Sequence, residues 1–495
     1  MKKILISTFA ISALLLNVSC DTEFDTDVND VVVTSGEANF SKYVSLGNSL
    51  TSGYRDGALY IDGQNESYPS MIAMQMKLAG GGDFKQPLMP NNVGGFSNLT
   101  GFPGKLVLSV VNGSLTPVAS APAAALDNIS SGGPYQNLGI PGAKSFHLGI
   151  TNYGSLNPYY SRFSTGVSPV AAAVAQNPTF FSLWIGNNDI LSYATSGGVG
   201  VDQTGNLNPG TYGSNDISDP NVVASSINSY VTALTANGAK GVIANIPSVT
   251  TIPFFTTVPY NPLTPAALGA NLNTLNTSLY GPLKQALTAF GAGDRINLLS
   301  STTANPVLIK DISLPNLSAQ LTAALTPSLG APTAAAFGQI YGQARQATAE
   351  DYILLTTRAV IGATNPSAPS AINVYGISYP LENQHVLTKS EAASVKTAMD
   401  AYNASIKSIA DAKGLAFVDA NAKMVELNSQ SGILYDGIRY TAKFVTGGTF
   451  SLDGVHLTGR GYAIVANEFI KAINAKYKST LPQVNPNNYS GVTFP

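Results

Sequence analysis

Cysteine is almost absent from this chain: of 495 residues only Cys20 carries a thiol, so no disulfide can form within it. Charge is scarce too. Asp, Glu, Lys and Arg make up 11% of the residues, less than half the usual share for a soluble domain, so Ser, Thr, Asn, Gln and Gly must build most of the surface. The formal charge is −2 and no basic stripe is present, which excludes nucleic acid as a partner. The three histidines, His147, His385 and His456, fall at no metal-ligand spacing, so no metal is expected. Gly198 and Gly200 lack the strand–glycine–helix setting of a dinucleotide fingerprint, and no cofactor is expected. The apolar run from Ile4 to Leu16 is too short to span a bilayer.

That run follows Lys2 and Lys3 and precedes small residues and Cys20, the pattern of a cleaved leader over residues 1–19. Its removal takes away two lysines and no acids and brings the formal charge to −4. A lone cysteine just after such a run resembles the acceptor of a bacterial lipoprotein signal, with Asn17 at the position where a leucine is usual. Residues 20–40 then read as a lipidated, flexible tether, acidic from Asp21 to Asp30. An acidic stretch placed there resembles the surface-export signals of Bacteroidetes lipoproteins. The resemblance implies an extracytoplasmic, outer-membrane lipoprotein held to the membrane through Cys20, and opens the outer face of the cell as an address.

Beyond the tether, short apolar runs alternate with amphipathic helical segments, which predicts an α/β fold: a parallel sheet covered on both faces. Strands are expected at Tyr43–Leu46, Phe180–Ile185, Gly241–Asn245 and Leu415–Val418. Helices are expected from Ser168 to Gln176, from the N-cap Asp219 with Pro220 to Gly238, from the capping-box pair Thr388/Glu391 to Gly414, and from about Gly461 to Lys476. The long stretches from Pro87 to Pro134, Tyr193 to Ser218 and Pro247 to about Gln346 show no strand character and read as binding loops or lids. In the last, Leu268, Leu272, Leu275 and Leu279 recur at helical spacing, as a lid over the site or as packing for their own domain.

Ligands of such a sheet gather at the carboxyl ends of its strands. Four polar clusters fall there: Gly47-Asn48-Ser49-Leu50 after the first strand, Asn137 to Ala143 after another apolar run, Gly186-Asn187-Asn188-Asp189 after the third, and Asp453-Gly-Val-His456 before the last helix. Nucleophilic acyl transfer needs a hydroxyl, a base beside it, a group that orients the base and donors for the oxyanion. Ser49, His456, Asp453 and the Gly142/Asn188 pair offer one candidate for each role. His147, five residues after Gly142, reads as a satisfied loop histidine and His385 as structural.

The four clusters, in this order, resemble the SGNH hydrolases, also called the GDSL lipolytic family, over almost the whole mature chain. The resemblance implies a doubly wound, flavodoxin-like sheet of about five parallel strands with long, partly helical insertions. It makes residues 41–495 one hydrolase domain with insertions at about 87–134, 193–218 and 247–346. It casts Ser49 as nucleophile, His456 as base and Asp453 as its orienting acid, with Ser49, Gly142 and Asn188 as oxyanion donors. The substrate would be a carboxylic ester of a lipid or an acylated carbohydrate, hydrolysed through an acyl-enzyme. Asn48 departs from the family, which most often has Asp there. The order argues against an α/β-hydrolase, which needs Gly where Thr51 stands. The rival reading is a surface lipoprotein that binds glycans or other nutrients on an inactive hydrolase scaffold.

Overall fold

The computed structural model describes residues 32–495; the expected leader, Cys20 and most of the expected tether lie outside the described residues. Within the segment read as tether, residues 34–40 are bound to the domain. The amide of Thr34 donates to Thr480 Oγ1 at 2.8 Å, that of Glu37 to the Tyr477 carbonyl at 2.7 Å, and Phe40 is buried.

Five strands form the central sheet: β1 (Tyr43–Gly47), β2 (Asn137–Gly139), β3 (Phe180–Trp184), β4 (Lys240–Ala244) and β5 (Ala416–Val418). Their order is β5-β4-β3-β1-β2 and every pairing is parallel. This is the expected doubly wound α/β sheet, and the near-continuous apolar runs of β3 and β4 follow from burial on both faces. Eight helices serve the sheet: α1 (Ser49–Ser52), α2 (Tyr68–Leu78), α3 (Pro169–Val174), α4 (Asn188–Thr195), α5 (Pro220–Thr235), α6 (Lys389–Ala412), α7 (Ala420–Asn428) and α8 (Gly459–Tyr477). The layer of α2 and α8 stacks Tyr68 on Phe469 and receives Phe180 and Trp184 of β3. The layer of α3, α5 and α6 covers the other face, to which the alternating Phe181 and Leu183 point. The caps are those read from sequence: the Asp219 carboxylate accepts from the amide of Asn221 at 2.7 Å, and Glu391 takes the Thr388 amide at 2.8 Å.

Two stretches expected to lack strands contain them. Leu106–Val111 pairs antiparallel with Ser114–Ala119, and Leu308–Lys310 with Ala344–Gln346. The first hairpin turns at Asn112-Gly113, both residues in the left-handed region with φ of +50° and +77°. That is the turn whose twist matches two strands, and Asn-Gly is its strongest local signal. The leucine stripe of the third stretch packs inward. Leu268, Leu272 and Leu279 are buried with Tyr280, Leu308 and Leu321 in a second core, distinct from the one around the sheet. Among the described residues no helix is long and apolar enough to cross a membrane.

Candidate active site

In this strand order the chain leaves β1 for β2 on one side and returns to β3 on the other, so the loops after β1 and β3 flank the switch point where crevices form. Ser49 opens α1 directly after β1. Gly47 permits the sharp entry, since a Cβ there would run into the Thr51 hydroxyl and the Trp184 carbonyl. Asn48 caps the turn: its side-chain oxygen accepts from the Leu50 amide at 3.0 Å, and its Nδ2 donates to Asn187 Oδ1 at 3.0 Å. An aspartate could make the first bond, but the second would then need the Asn187 amide turned so that its Nδ2 donates.

His456 lies in the loop before α8. Its Nε2 is 2.8 Å from Ser49 Oγ, and its Nδ1 is 2.8 Å from Asp453 Oδ2. Asp453 also accepts from the amides of His456 (2.8 Å), Val455 (2.9 Å) and Gly57 (3.0 Å), and from the Ser451 hydroxyl (3.2 Å). Burial pushes the Asp453 carboxyl up, but the imidazole beside it and these hydrogen bonds outweigh burial and hold it well below the usual carboxylate range. An ionised carboxylate only accepts, so Nδ1 carries the proton and donates it, leaving Nε2 to accept from the Ser49 hydroxyl. The Asp453 and His456 side chains are each 14% exposed and Ser49 is 6% exposed, so the chain of bonds is largely shielded from water.

Three donors lie in adjoining loops. The Ser49 and Gly142 amides donate to no protein acceptor among the described residues. Gly142 has φ of +80°, and a Cβ added to it would enter open space. Asn188 begins α4; its Nδ2 gives one hydrogen to the Ala143 carbonyl at 2.9 Å and keeps a second. The Ile140 amide donates to the Gly47 carbonyl at 3.0 Å, so with the Asn48–Asn187 and Asn188–Ala143 bonds all three loops are tied together.

The segment after the Ser49 turn carries no signal in the sequence that ties it to the site. The Tyr54 ring centroid lies 4.7 Å from that of His456, and Tyr159 packs edge-on against Tyr54 at 6.1 Å. The amide of Asp56 donates to Ser451 Oγ at 2.9 Å, and its carboxylate accepts from the Leu452 amide at 3.0 Å. Residues 54–57 thus clamp the loop that carries Asp453. Asp56-Gly57, both at positive φ, is a turn signal in the sequence, but nothing there tells which loop it grips.

The other histidines stand apart from this chain of bonds. His147 Nδ1 accepts from the Lys144 amide at 3.0 Å beside a stacked Tyr153, and burial lowers its pKa to about 4. His385 stacks edge-on with Tyr375. Among the described residues no three His, Cys, Asp or Glu side chains are grouped to hold a metal ion.

No family model matches the chain, and no curated protein does. Solved structures similar to it include an acetylxylan esterase from Geobacillus stearothermophilus, with 11% identity over 89% of this chain and 98% of that one and a TM-score of 0.32. A GDSL-like lipase from Parabacteroides merdae has 10% identity, covering 90% of this chain and 100% of that one, with a TM-score of 0.32. An extracellular lipase from Streptomyces rimosus has 10% identity over 88% and 98%, with a TM-score of 0.28.

Proposed function

We propose that this protein is a serine esterase of the SGNH type, hydrolysing carboxylic esters through an acyl-enzyme. The observation that carries the reading is the unbroken run Asp453–His456–Ser49, with 2.8 Å at each of its two links, the second of which joins side chains 407 residues apart. In the first half-reaction Ser49 Oγ attacks the ester carbonyl while His456 Nε2 takes its proton, and Asp453 stabilises the imidazolium without itself being protonated. The carbonyl oxygen, now negative, is the ligand for the amides of Ser49 and Gly142 and the second Nδ2 hydrogen of Asn188. His456 returns its proton to the leaving alcohol; water then attacks the acyl-enzyme by the same route.

Cys20 as the lipid-bearing residue, and with it an outer-membrane address, belongs to the same proposal and rests on the sequence around it. Turnover of p-nitrophenyl acetate and butanoate by the soluble chain starting after Cys20 tests the activity. Hydrolysis that Ser49→Ala abolishes supports it. Absence of turnover, with glycan binding by the folded chain, favours a binding lipoprotein on the same scaffold.

A further inference from the structure

His456 is tied at both ring nitrogens, Nδ1 to Asp453 and Nε2 to Ser49. Two such ties fix the line between the nitrogens and leave the ring free to rock about it, so holding its plane needs a wall against its face. Tyr54 supplies that wall. Its ring centroid lies 4.7 Å from that of the imidazole, with 53° between the planes, so the two rings touch and no water fits between them. The wall is itself held on every side. The Tyr54 amide donates to the Ser49 carbonyl at 3.0 Å, and the Tyr54 carbonyl accepts from the Tyr462 hydroxyl of α8 at 2.6 Å. Its own hydroxyl donates to the Gly57 carbonyl at 2.5 Å, while the Gly57 amide donates to Asp453 Oδ2. Behind the ring stands Tyr159, packed in turn on Phe96 and Phe102. The nucleophile and the wall therefore share one rigid turn, and a side chain so locked can hold its neighbour to a fraction of an ångström.

We propose that Tyr54 is a positioning residue of the hydrolysis, its ring holding the plane of the His456 imidazole so that Nε2 stays aimed at the reacting oxygens; the proposal rests on the esterase reading above. A catalytic group works while it is kept within about 0.5 Å and 10–20° of its productive geometry. That demand is highest after the proton has left Ser49. Oγ is then bonded to the acyl carbon, and Nε2–H must turn its proton towards the leaving oxygen with Asp453 as the remaining side-chain tie on the ring. A wall against the imidazole face is what keeps this step in line. Substrate binding makes no use of it, so its loss falls on kcat and spares KM.

Two variants separate the ring from its hydroxyl. Tyr54→Leu removes the flat wall and the bond to Gly57 together; Tyr54→Phe keeps the wall and gives up only the bond. On p-nitrophenyl butanoate, Tyr54→Leu lowers kcat roughly 10- to 100-fold with KM unchanged, and the conservative Tyr54→Phe restores most of it. A folded Tyr54→Leu with the kcat of the wild type, or a loss carried by KM alone, overturns the proposal. So does a Tyr54→Phe that falls as far as Tyr54→Leu, since the hydroxyl and its hold on Gly57 would then be what counts. A second measurement is independent of turnover: the proton between His456 Nδ1 and Asp453 gives a sharp downfield resonance in the wild type and in Tyr54→Phe. In Tyr54→Leu it broadens as the ring rocks, while the backbone amide spectrum elsewhere is unchanged. A resonance that stays sharp in Tyr54→Leu overturns the proposal. If the wild type cleaves no ester while the resonance still broadens in Tyr54→Leu alone, the esterase reading fails and the positioning role stands. Cleavage that Tyr54→Leu leaves intact, with a sharp resonance, keeps the esterase and removes Tyr54 from its working.

Discussion

The sheet and the unit inserted between β4 and β5 both bury ionised side chains, and they use them in opposite ways. In the insert, Arg345 donates to Asp311 at 2.7 Å and to both oxygens of Asp351 at 2.6 Å. Asp351 accepts further from Thr348 and from the Lys389 amide at 3.0 Å. Every strong donor there meets an acceptor inside the protein. At the sheet, the network around Asp453 runs outward through His456 to Ser49, and the neighbouring loops keep amide hydrogens with no protein acceptor among the described residues. Buried charge alone therefore does not mark a site.

The largest expected effects separate the two regions. Ser49→Ala and His456→Ala should each lower ester turnover by about 10⁴-fold or more, since they act as one unit, and Ser49→Ala should leave the melting temperature nearly unchanged. Arg345→Ala should do the reverse. It strands Asp311 and Asp351 at buried positions and should cost about 3–5 kcal/mol of stability, while the folded fraction keeps its kcat. Urea midpoints and kcat per folded molecule check both. A loss of kcat in Arg345→Ala without a loss of stability would carry the insert into the chemistry and break the comparison.

Asn188→Ala sharpens it. The side chain spends one hydrogen on Ala143 and has one to give, so its removal should lower kcat by roughly 10²–10³ with KM little changed, and cost only about 1 kcal/mol of stability. An effect on KM alone would make Asn188 a binding residue.

The contrast also explains what could be read beforehand. Four strands of the sheet and the caps at Asp219 and Thr388 are legible because each is local, stated by period and turn chemistry; β2 is not, since Asn137–Gly139, which reads as a polar cluster after a strand, is itself the strand. The hairpin at Asn112-Gly113 is legible in principle, since its turn dipeptide stands between two short apolar runs, but the long polar stretch around it reads as loop. The clamp from Tyr54 to Gly57 was not legible. It acts on Ser451, Leu452 and Asp453, almost four hundred residues away, and an aromatic residue against an imidazole has no sequence pattern of its own. The leucine stripe at Leu272 and Leu279 was compatible with a lid or with a core, because helical spacing reports only that one face is apolar. Burial of both residues among Tyr280, Leu308 and Leu321 shows that this face is spent on packing within the insert.

The smallest expected effect concerns acid. The Asp453 carboxyl is pushed up by burial and pulled down further by His456 and by the amides of His456 and Val455, so its folded pKa lies below its ordinary value of 3.8. A carboxyl depressed on folding contributes stability that is fully present above its unfolded pKa and is lost as pH falls through the folded one. Asp453→Asn keeps the shape but cannot ionise; it should be less stable than the wild type at pH 7 by about 1.5–3 kcal/mol, the worth of hydrogen bonds to a charged group. Below pH 4 the unfolded wild type begins to protonate Asp453 while the folded protein still holds it ionised, and the variant has nothing to lose there. The gap between their urea midpoints should therefore narrow steadily as pH falls from 4 towards 2. Asp351 in the insert, also held below its usual range against the push of burial, titrates in both chains and cancels from the difference. A gap that stays constant from pH 7 down to pH 2 would mean that Asp453 is not held ionised by its partners, and the tautomer assigned to His456, with Nε2 free to accept from Ser49, would lose its physical basis.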